Sequence, residues 1–455
     1  MIYLFFSIVI VIVSFKMFKS VSGSMAVNKI NMISFIFYFY MIMQTFIGSI
    51  LIVNNLVENT PLKLIENESS RVIGWFIIQY MMIAVPLGML IAKRFMNIKN
   101  VQLLFSNYTT KSVKGLVTDK DSFFKLFVFI LSIISITSTL FLYLKTGSLG
   151  LLSLSNFEDQ KSLLLYRMDS SLSFSGITAI IKNIFSLTLT PILSYIYFIY
   201  YYKDKYKKDL VMFIIMFIVS FLALTFNLAK SPFIFYLFSF VFVFVLLKGS
   251  IKKSTLYVLV VGLFSLMIMI FLQLENHESI LEIFTSNTSL LGRIFISQVS
   301  GFFLMIDIFP DKHDFIGFAS TFKQFYQIVG LQTIDPAARI TMEYAYPIGV
   351  AEGYMNLLST IFIGEAWANF SYFGVLFSPI YLGFIIEIFY LFILKNRKSP
   401  LFISILVYSS YSTNFASSLN PYIFNYILWA SIIILFFIYS FSYFISNKRR
   451  RMYGK

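Results

Sequence analysis

The chain has 455 residues, 58% of them hydrophobic and only 13% charged, and a mean hydropathy of +0.81 excludes an ordinary soluble domain. Its formal net charge of +15 invites a nucleic-acid reading, but the basic residues are sorted by segment. The charge is therefore a topology signal, and no nucleic-acid partner is expected. There is no cysteine, which excludes disulfides, thiolate nucleophiles and cysteine metal sites.

A helix needs ~20 mainly apolar residues to cross ~30 Å of hydrocarbon. Such runs follow in chain order at 2–18, 30–53, 72–92, 124–144, 177–200, 210–228, 231–247, 255–273, 372–394, 401–415 and 422–445. The expected fold class is thus an all-α polytopic membrane protein with about 11 transmembrane helices (10–12). The 401–415 run is short and decays into serines. The stretch 290–309 is also apolar, but Arg293 and Asp307 near its ends predict an interfacial helix instead. The first run has no preceding basic residues, and Lys16 and Lys19 follow it, so it is expected to be a retained anchor. In chain order the expected organisation is eight spans over 1–273, a large helical outer loop over 274–371, and three more spans with a basic tail over 372–455.

Six of the segments between runs, around Lys16–Lys29, Lys93–Lys125, Lys203–Lys208, Lys248–Lys253, Lys395–Lys398 and Lys448–Lys455, hold 25 of the 36 basic residues. Basic segments stay cytoplasmic, which puts the N-terminus outside and the C-terminus inside. The tail Lys448-Arg449-Arg450-Arg451 is expected against anionic lipid headgroups, so membrane lipids are partners. The segment 274–370 carries ten acids against four basic residues and faces outward. It has apolar stripes at helical spacing, Leu291, Ile294, Phe295, Val299, Phe302, Phe303 and Ile306, then Phe318, Phe322, Phe325 and Ile328, which predict amphipathic helices at the outer interface. Ile280, Ile283 and Phe284 begin the same pattern. The two halves show none of the matched broken helices that mark many secondary transporters.

Cations on an outer face otherwise poor in them are candidates for binding phosphate. Arg167 follows the fourth run, Lys230 sits in the turn Asn227-Leu228-Ala229-Lys230-Ser231-Pro232, Arg293 begins the loop and Arg339 follows Asp335-Pro336. Arg binds phosphate oxygens in a bidentate way at any working pH. The alternative is that these residues pair with Glu158, Asp159, Asp307 or Glu343 and fix loops. His313, in Asp311-Lys312-His313-Asp314, is a candidate general base; neither its cluster nor that of His277 has a specific metal-ligand spacing, and no metal or cofactor is expected. Glu387 lies inside a span, where an ionisable group is a functional suspect or a structural partner of nearby lysines.

The most distinctive stretch is Gly364-Glu365-Ala366-Trp367-Ala368-Asn369-Phe370-Ser371-Tyr372-Phe373-Gly374. Glu365 and Asn369 are four apart and share one helix face. A carboxylate and an amide there, with Trp367, suit sugar hydroxyls, and Glu365 is a second candidate base, expected to open onto a cavity under the loop. The alternative is a helix entry with a belt tryptophan.

Gly-Glu-Ala-x-Ala-Asn-Phe-x-x-x-Gly leading into a late span resembles the signature of the Wzy-type O-antigen polymerases, the oligosaccharide repeat unit polymerases. The resemblance extends to about a dozen spans, a basic residue beside Ser in a central outer turn (Lys230-Ser231), an outer-loop Arg (Arg167) and a large outer loop before the final spans. It implies a GT-C-like glycosyltransferase of the bacterial cytoplasmic (inner) membrane. Such an enzyme transfers a growing glycan from undecaprenyl pyrophosphate to a lipid-linked acceptor unit, with a chain-length regulator as a further partner. Two departures stand out: the family's turn residue is commonly Arg rather than Lys230, and Arg339 lies one residue short of the Arg-x10-Gly spacing to Gly349. An O-antigen ligase shares the architecture and the donor and remains an alternative. A lipid-linked oligosaccharide flippase is an alternative of another class, which charged spans and similar halves would favour.

Overall fold

The computed structural model describes residues 2–115, 122–147, 160–275, 290–321, 326, 332, 334–415, 419–423 and 426–453. Every regular element among them is helical. Nine of these helices are long and apolar enough to cross a bilayer: Ile2–Val21, Met32–Val53, Glu68–Phe95, Ser122–Thr146, Gly176–Asp204, Lys207–Thr225, Ser231–Lys248, Ile361–Lys395 and Ile427–Ile445. Each falls on an expected run. Two shorter apolar helices, Lys253–Ser265 and Pro400–Ser412, stand at the eighth and tenth runs, the former within a helix drawn to Glu275. Large apolar side chains remain exposed along many of these helices, among them Phe5, Phe6, Phe129, Ile133, Ile214, Val258, Phe377 and Phe437. Backbone polar groups satisfied inside helices and apolar surface facing outward are what hydrocarbon requires. The chain is an all-α, multi-pass membrane protein.

Helix starts are written in short polar side chains. Asn31 accepts the amides of Ile33 and Ser34 at 3.2 Å each, and Ser34 Oγ accepts the Asn31 N–H in return. Asn59 caps a single turn by accepting Leu62 N, and Asn67 accepts Ser69 N at the start of Glu68–Phe95. Such caps satisfy amides that have no partner within the helix.

The chain packs as two compact units, each built from separate stretches of sequence. One holds 1–104, 268–392 and 413–424; the other holds 105–267, 393–412 and 425–455. In the first, Ile2–Val21 packs along Glu68–Phe95, with Ser14 Oγ donating to Met82 O and Trp75 Nε1 to Ser7 Oγ. Glu68–Phe95 also meets the lower part of Ile361–Lys395 at backbone distance. A Cβ on Gly88 would strike Ile380 O, and one on Gly383 would strike Val85 O. In the second, Gly176–Asp204 is the centre, packed on Ser122–Thr146, Lys207–Thr225 and Pro400–Ser412. Buried hydroxyls tie it in place: Tyr195 to Ser239 at 2.6 Å, Ser194 to Tyr236 at 2.8 Å and Ser132 to Tyr197 at 3.1 Å. At one end, Lys125 Nζ bridges Asp204 at 3.2 Å and Asp209 at 3.0 Å.

Two expectations need correction. The stretch 290–309 is not an interfacial amphipathic helix. It forms Leu290–Phe295 and Ser300–Ile308, and every residue of the latter is buried, because Phe303 lies on Gly74 and Gly301 abuts Ser359 O and Leu358. The ninth membrane helix does not begin at 372. It runs from Ile361 to Lys395 with a break at Ser371, whose φ of 55° and ψ of −145° are non-helical. Phe318 opens a single turn, Phe318–Thr321. Phe322, Phe325, Ile328, His277, Ile280, Ile283, Phe284, Glu158 and Asp159 lie outside the described residues.

Candidate functional site

The signature stretch straddles the break: its first seven residues, Gly364–Phe370, precede Ser371 and the rest follow it. With Ser371 out of helical geometry, the carbonyls of the last turn lose their i+4 donors. Ile316 N–H and Gly317 N–H take over, donating to Ala368 O and Asn369 O at 3.0 Å each. Asn369 Oδ1 accepts Ser320 Oγ at 2.7 Å, and Trp367 Nε1 donates to Phe309 O at 3.1 Å. Gly364 lets Phe302 and Met305 approach the helix, and Gly374 packs against Ala366 O after the break, where any Cβ would collide. Glu365 accepts the amide of Leu419, and Phe362 N–H donates to Phe415 O. Residues 302–320, Phe415 and Leu419 thus all fasten to one short helix.

Glu365, Trp367 and Asn369 are only 0%, 4% and 3% exposed. Glu365 and Asn369 do lie one turn apart on the same helix, as their spacing predicts. The expectation that Glu365 opens onto a cavity is overturned: the carboxylate is enclosed and holds a loop amide. His313, by contrast, is exposed. Its Nδ1 lies 2.8 Å from Asp314 O. A carbonyl only accepts, so Nδ1 carries the proton and Nε2 is the basic nitrogen. Among the described residues no three His, Asp or Glu side chains converge as a metal site.

The four expected cations divide two and two between the units. Arg339 is engaged: Nε meets Glu343 Oε1 at 2.9 Å, and Nη1 reaches Asn356 Oδ1 at 3.2 Å and the carbonyls of Met355 and Asn356 at 3.3 and 3.4 Å. It fastens 355–358 to helix Ala337–Ala345, as the alternative reading holds. Arg293 is exposed on Leu290–Phe295. In the other unit Arg167 and Lys230 are half-buried, the former on Gln160–Leu172 and the latter in the turn before Ser231–Lys248.

Three groupings went unnoticed in the sequence. Asp307 accepts Glu66 N at 3.2 Å, Asn67 N at 2.9 Å, Ser70 Oγ at 3.0 Å and Lys312 Nζ at 3.1 Å. Lys312 also meets Glu66 Oε1 at 2.9 Å and Tyr344 OH at 2.8 Å. Burial works to raise the Asp307 carboxyl, but these donors outweigh it and hold its pKa below the ordinary range. The Lys312 hydrogen bond is the main cause of the lowered Glu66 pKa. Lys398, 2% exposed, donates to Thr109 O at 2.7 Å and Lys111 O at 2.8 Å; desolvation pulls its pKa down to about 8. Finally, Lys182 is buried beside Lys145 around the ring of Phe174. Glu387 is fully buried, and neither of its oxygens has a hydrogen-bond partner among the described residues.

No protein-family model, curated protein or solved structure matches the chain.

Proposed function

We propose that the chain is a membrane glycosyltransferase that joins lipid-pyrophosphate-linked oligosaccharide repeat units into a surface polysaccharide, on the outer face of the bacterial cytoplasmic membrane. The observation that carries this reading is the use made of Gly364–Phe370. The stretch that resembles the repeat-unit polymerases is the fastening point for 302–320, Phe415 and Leu419, so the described part of the long segment between spans that contacts it is built into the fold. A connector that merely links spans needs no such construction. On this reading the two shorter apolar helices are also spans, the fold is GT-C-like with eleven spans, and the charge pattern supports an N-terminus outside and a C-terminus inside.

In this reaction the acceptor hydroxyl oxygen bonds to the anomeric carbon of the donor glycan. The carbon–oxygen bond to pyrophosphate breaks, and the hydroxyl proton passes to a base. Pyrophosphate leaves readily once its charge is met, so cations at headgroup depth supply most of the assistance required, and the membrane confines both lipid-linked partners to two dimensions. The exposed Nε2 of His313 suits the base. Glu365 positions Leu419, and Arg293 is the candidate for pyrophosphate in the unit that holds His313; Lys230 and Arg167, in the other unit, are separate candidates for the same group. Arg339 acts through the loop it holds.

The test is reconstitution of the purified chain in phosphatidylcholine vesicles with a single lipid-pyrophosphate-linked repeat unit and nothing else. Products of two or more units support the reading and exclude a ligase, which needs a different acceptor. Repeat units carried across the bilayer without lengthening would overturn it in favour of a flippase.

A further inference from the structure

Lys182 is the unusual cation of this protein. It lies six residues into the membrane helix Gly176–Asp204, after the apolar run Ala179-Ile180-Ile181, and is 8% exposed. A π-helical stretch, Lys182–Thr188, begins at this residue; such widened turns recur at functional sites because they displace side chains from the regular helical positions. Lys182 Nζ donates to one carbonyl, Ser171 O, at 3.1 Å, and an ammonium has three donors. Its remaining surroundings are aromatic: the ring centres of Phe174 and Phe226 are 4.7 and 5.5 Å away. Lys145, at the end of Ser122–Thr146, lies 4.8 Å from the same Phe174 ring. Two ammonium groups therefore border one aromatic side chain. Among the described residues, neither meets a carboxylate in an ion pair.

A desolvated charge such as that of Lys182, with a second cation bordering the same ring, is costly unless something neutralises it. Aromatic faces attract a cation only weakly and carry no net charge. The partner that this arrangement suits is an anion, and its class follows from the neighbourhood. Leu140, Leu144 and Ile177, on the same two helices, expose 59%, 84% and 75% of their surface, so the lysines sit at the head of an apolar face. The charge pattern puts this end of both helices outside. We infer that Lys182 and Lys145 form a binding site for the phosphate group of a lipid, whose hydrocarbon chain lies along Leu140, Leu144 and Ile177. Lysine binds phosphate as a compact point charge and needs no bidentate geometry. The site deepens the proposed function and rests on it only for the choice of a prenyl pyrophosphate as the natural occupant.

Binding is measured calorimetrically on the full chain in uncharged detergent, without turnover. The probes are farnesyl pyrophosphate, phosphatidylglycerol in mixed micelles, and sodium pyrophosphate. At least one lipid phosphate is expected to bind saturably, and at least tenfold more weakly to Lys182→Met and to Lys145→Met. Lys182→Met replaces a desolvated charge with an apolar side chain of similar length; Lys145 is exposed, so Lys145→Met tests the site without touching the packing. Loss for farnesyl pyrophosphate alone assigns the site to a prenyl-linked substrate, and loss for both lipids assigns it to lipid phosphate generally. Unchanged binding in Lys145→Met would overturn the inference, as would sodium pyrophosphate binding as tightly as the lipids. Because no glycan is transferred, a failure here is separate from a failure of the polymerase reading.

Discussion

Replacing Asp307 by Ala tests how the outer segment is held. Asp307 is the acceptor for two backbone amides just ahead of Glu68–Phe95, for the Ser70 hydroxyl and for Lys312. Its side chain is 1% exposed, whereas that of Lys312 is 24% exposed. Lys312 keeps Glu66 and Tyr344 in the variant and can rehydrate, so little is assigned to it. The amides of Glu66 and Asn67 lose their acceptor at a partly buried site, at about 1–3 kcal/mol each. Both residues are exposed, so water offsets part of this cost and leaves a local loss of about 2–4 kcal/mol. One residue's exchange protection drops tenfold per about 1.4 kcal/mol, so amide hydrogen exchange of 66–70 is expected to accelerate by ~30- to 1,000-fold. Asp307→Asn keeps one acceptor oxygen and turns an amide NH2 toward the remaining donors, so it is expected to fall between wild type and Ala. The carboxyl pKa is lowered in the folded state. Its stabilisation is therefore fully present above the ordinary value of about 3.9 and is lost as pH falls below that through the lowered native value. Exchange of 66–70 that is the same in Asp307→Ala and wild type at neutral pH would refute the reasoning.

Gly88→Ala would force a methyl into the carbonyl of Ile380. Overpacking of about 1–3 kcal/mol or more is expected to lower the unfolding midpoint followed by tryptophan fluorescence, and an unchanged midpoint would show that the two helices part freely. Glu365→Gln retains an acceptor for Leu419 N–H and is expected to keep polymer length, while Glu365→Ala loses it. Loss of length in both, with unchanged exchange at 419, would return the carboxylate to the chemistry. His313→Ala is expected to slow chain lengthening by ~10²–10⁴-fold if Nε2 takes the proton, and full activity would remove it. The amine of Lys398 is lowered to about 8, so the unfolded chain binds its proton more tightly between about 8 and the ordinary 10.4 or so. Stability relative to Lys398→Met should rise across that window, and a flat difference would contradict the burial.

The membrane helices were legible because hydropathy over twenty residues is a bulk property that packing does not alter. The burial of Ser300–Ile308 was legible too, had the right signal been weighed. Gly301-Phe302-Phe303-Leu304-Met305-Ile306 is apolar on every side, which marks a buried helix rather than an interfacial one. The i, i+4 pair Arg339–Glu343 could likewise be read from spacing. The break at Ser371 could not, since no proline or glycine stands there and the non-helical geometry depends on residues 316–317 capturing the freed carbonyls. Lys182 was lost for the opposite reason: a single lysine in an apolar window disappears into the average. Three of the four partners of Asp307, Glu66, Asn67 and Ser70, lie some 240 positions away, beyond any local pattern.

The reciprocal glycine contact has a mechanical consequence. At Gly88 and Gly383 each backbone sits in a notch of the other, so the two helices cannot slide past one another or admit a lipid tail between them without first separating. Ser371 interrupts the same helix twelve residues earlier. The stretch 361–370 is thus a lever hinged on a pinned shaft: any tilt of it is absorbed at Ser371 and carries with it the chain held at Ala368, Asn369 and Glu365.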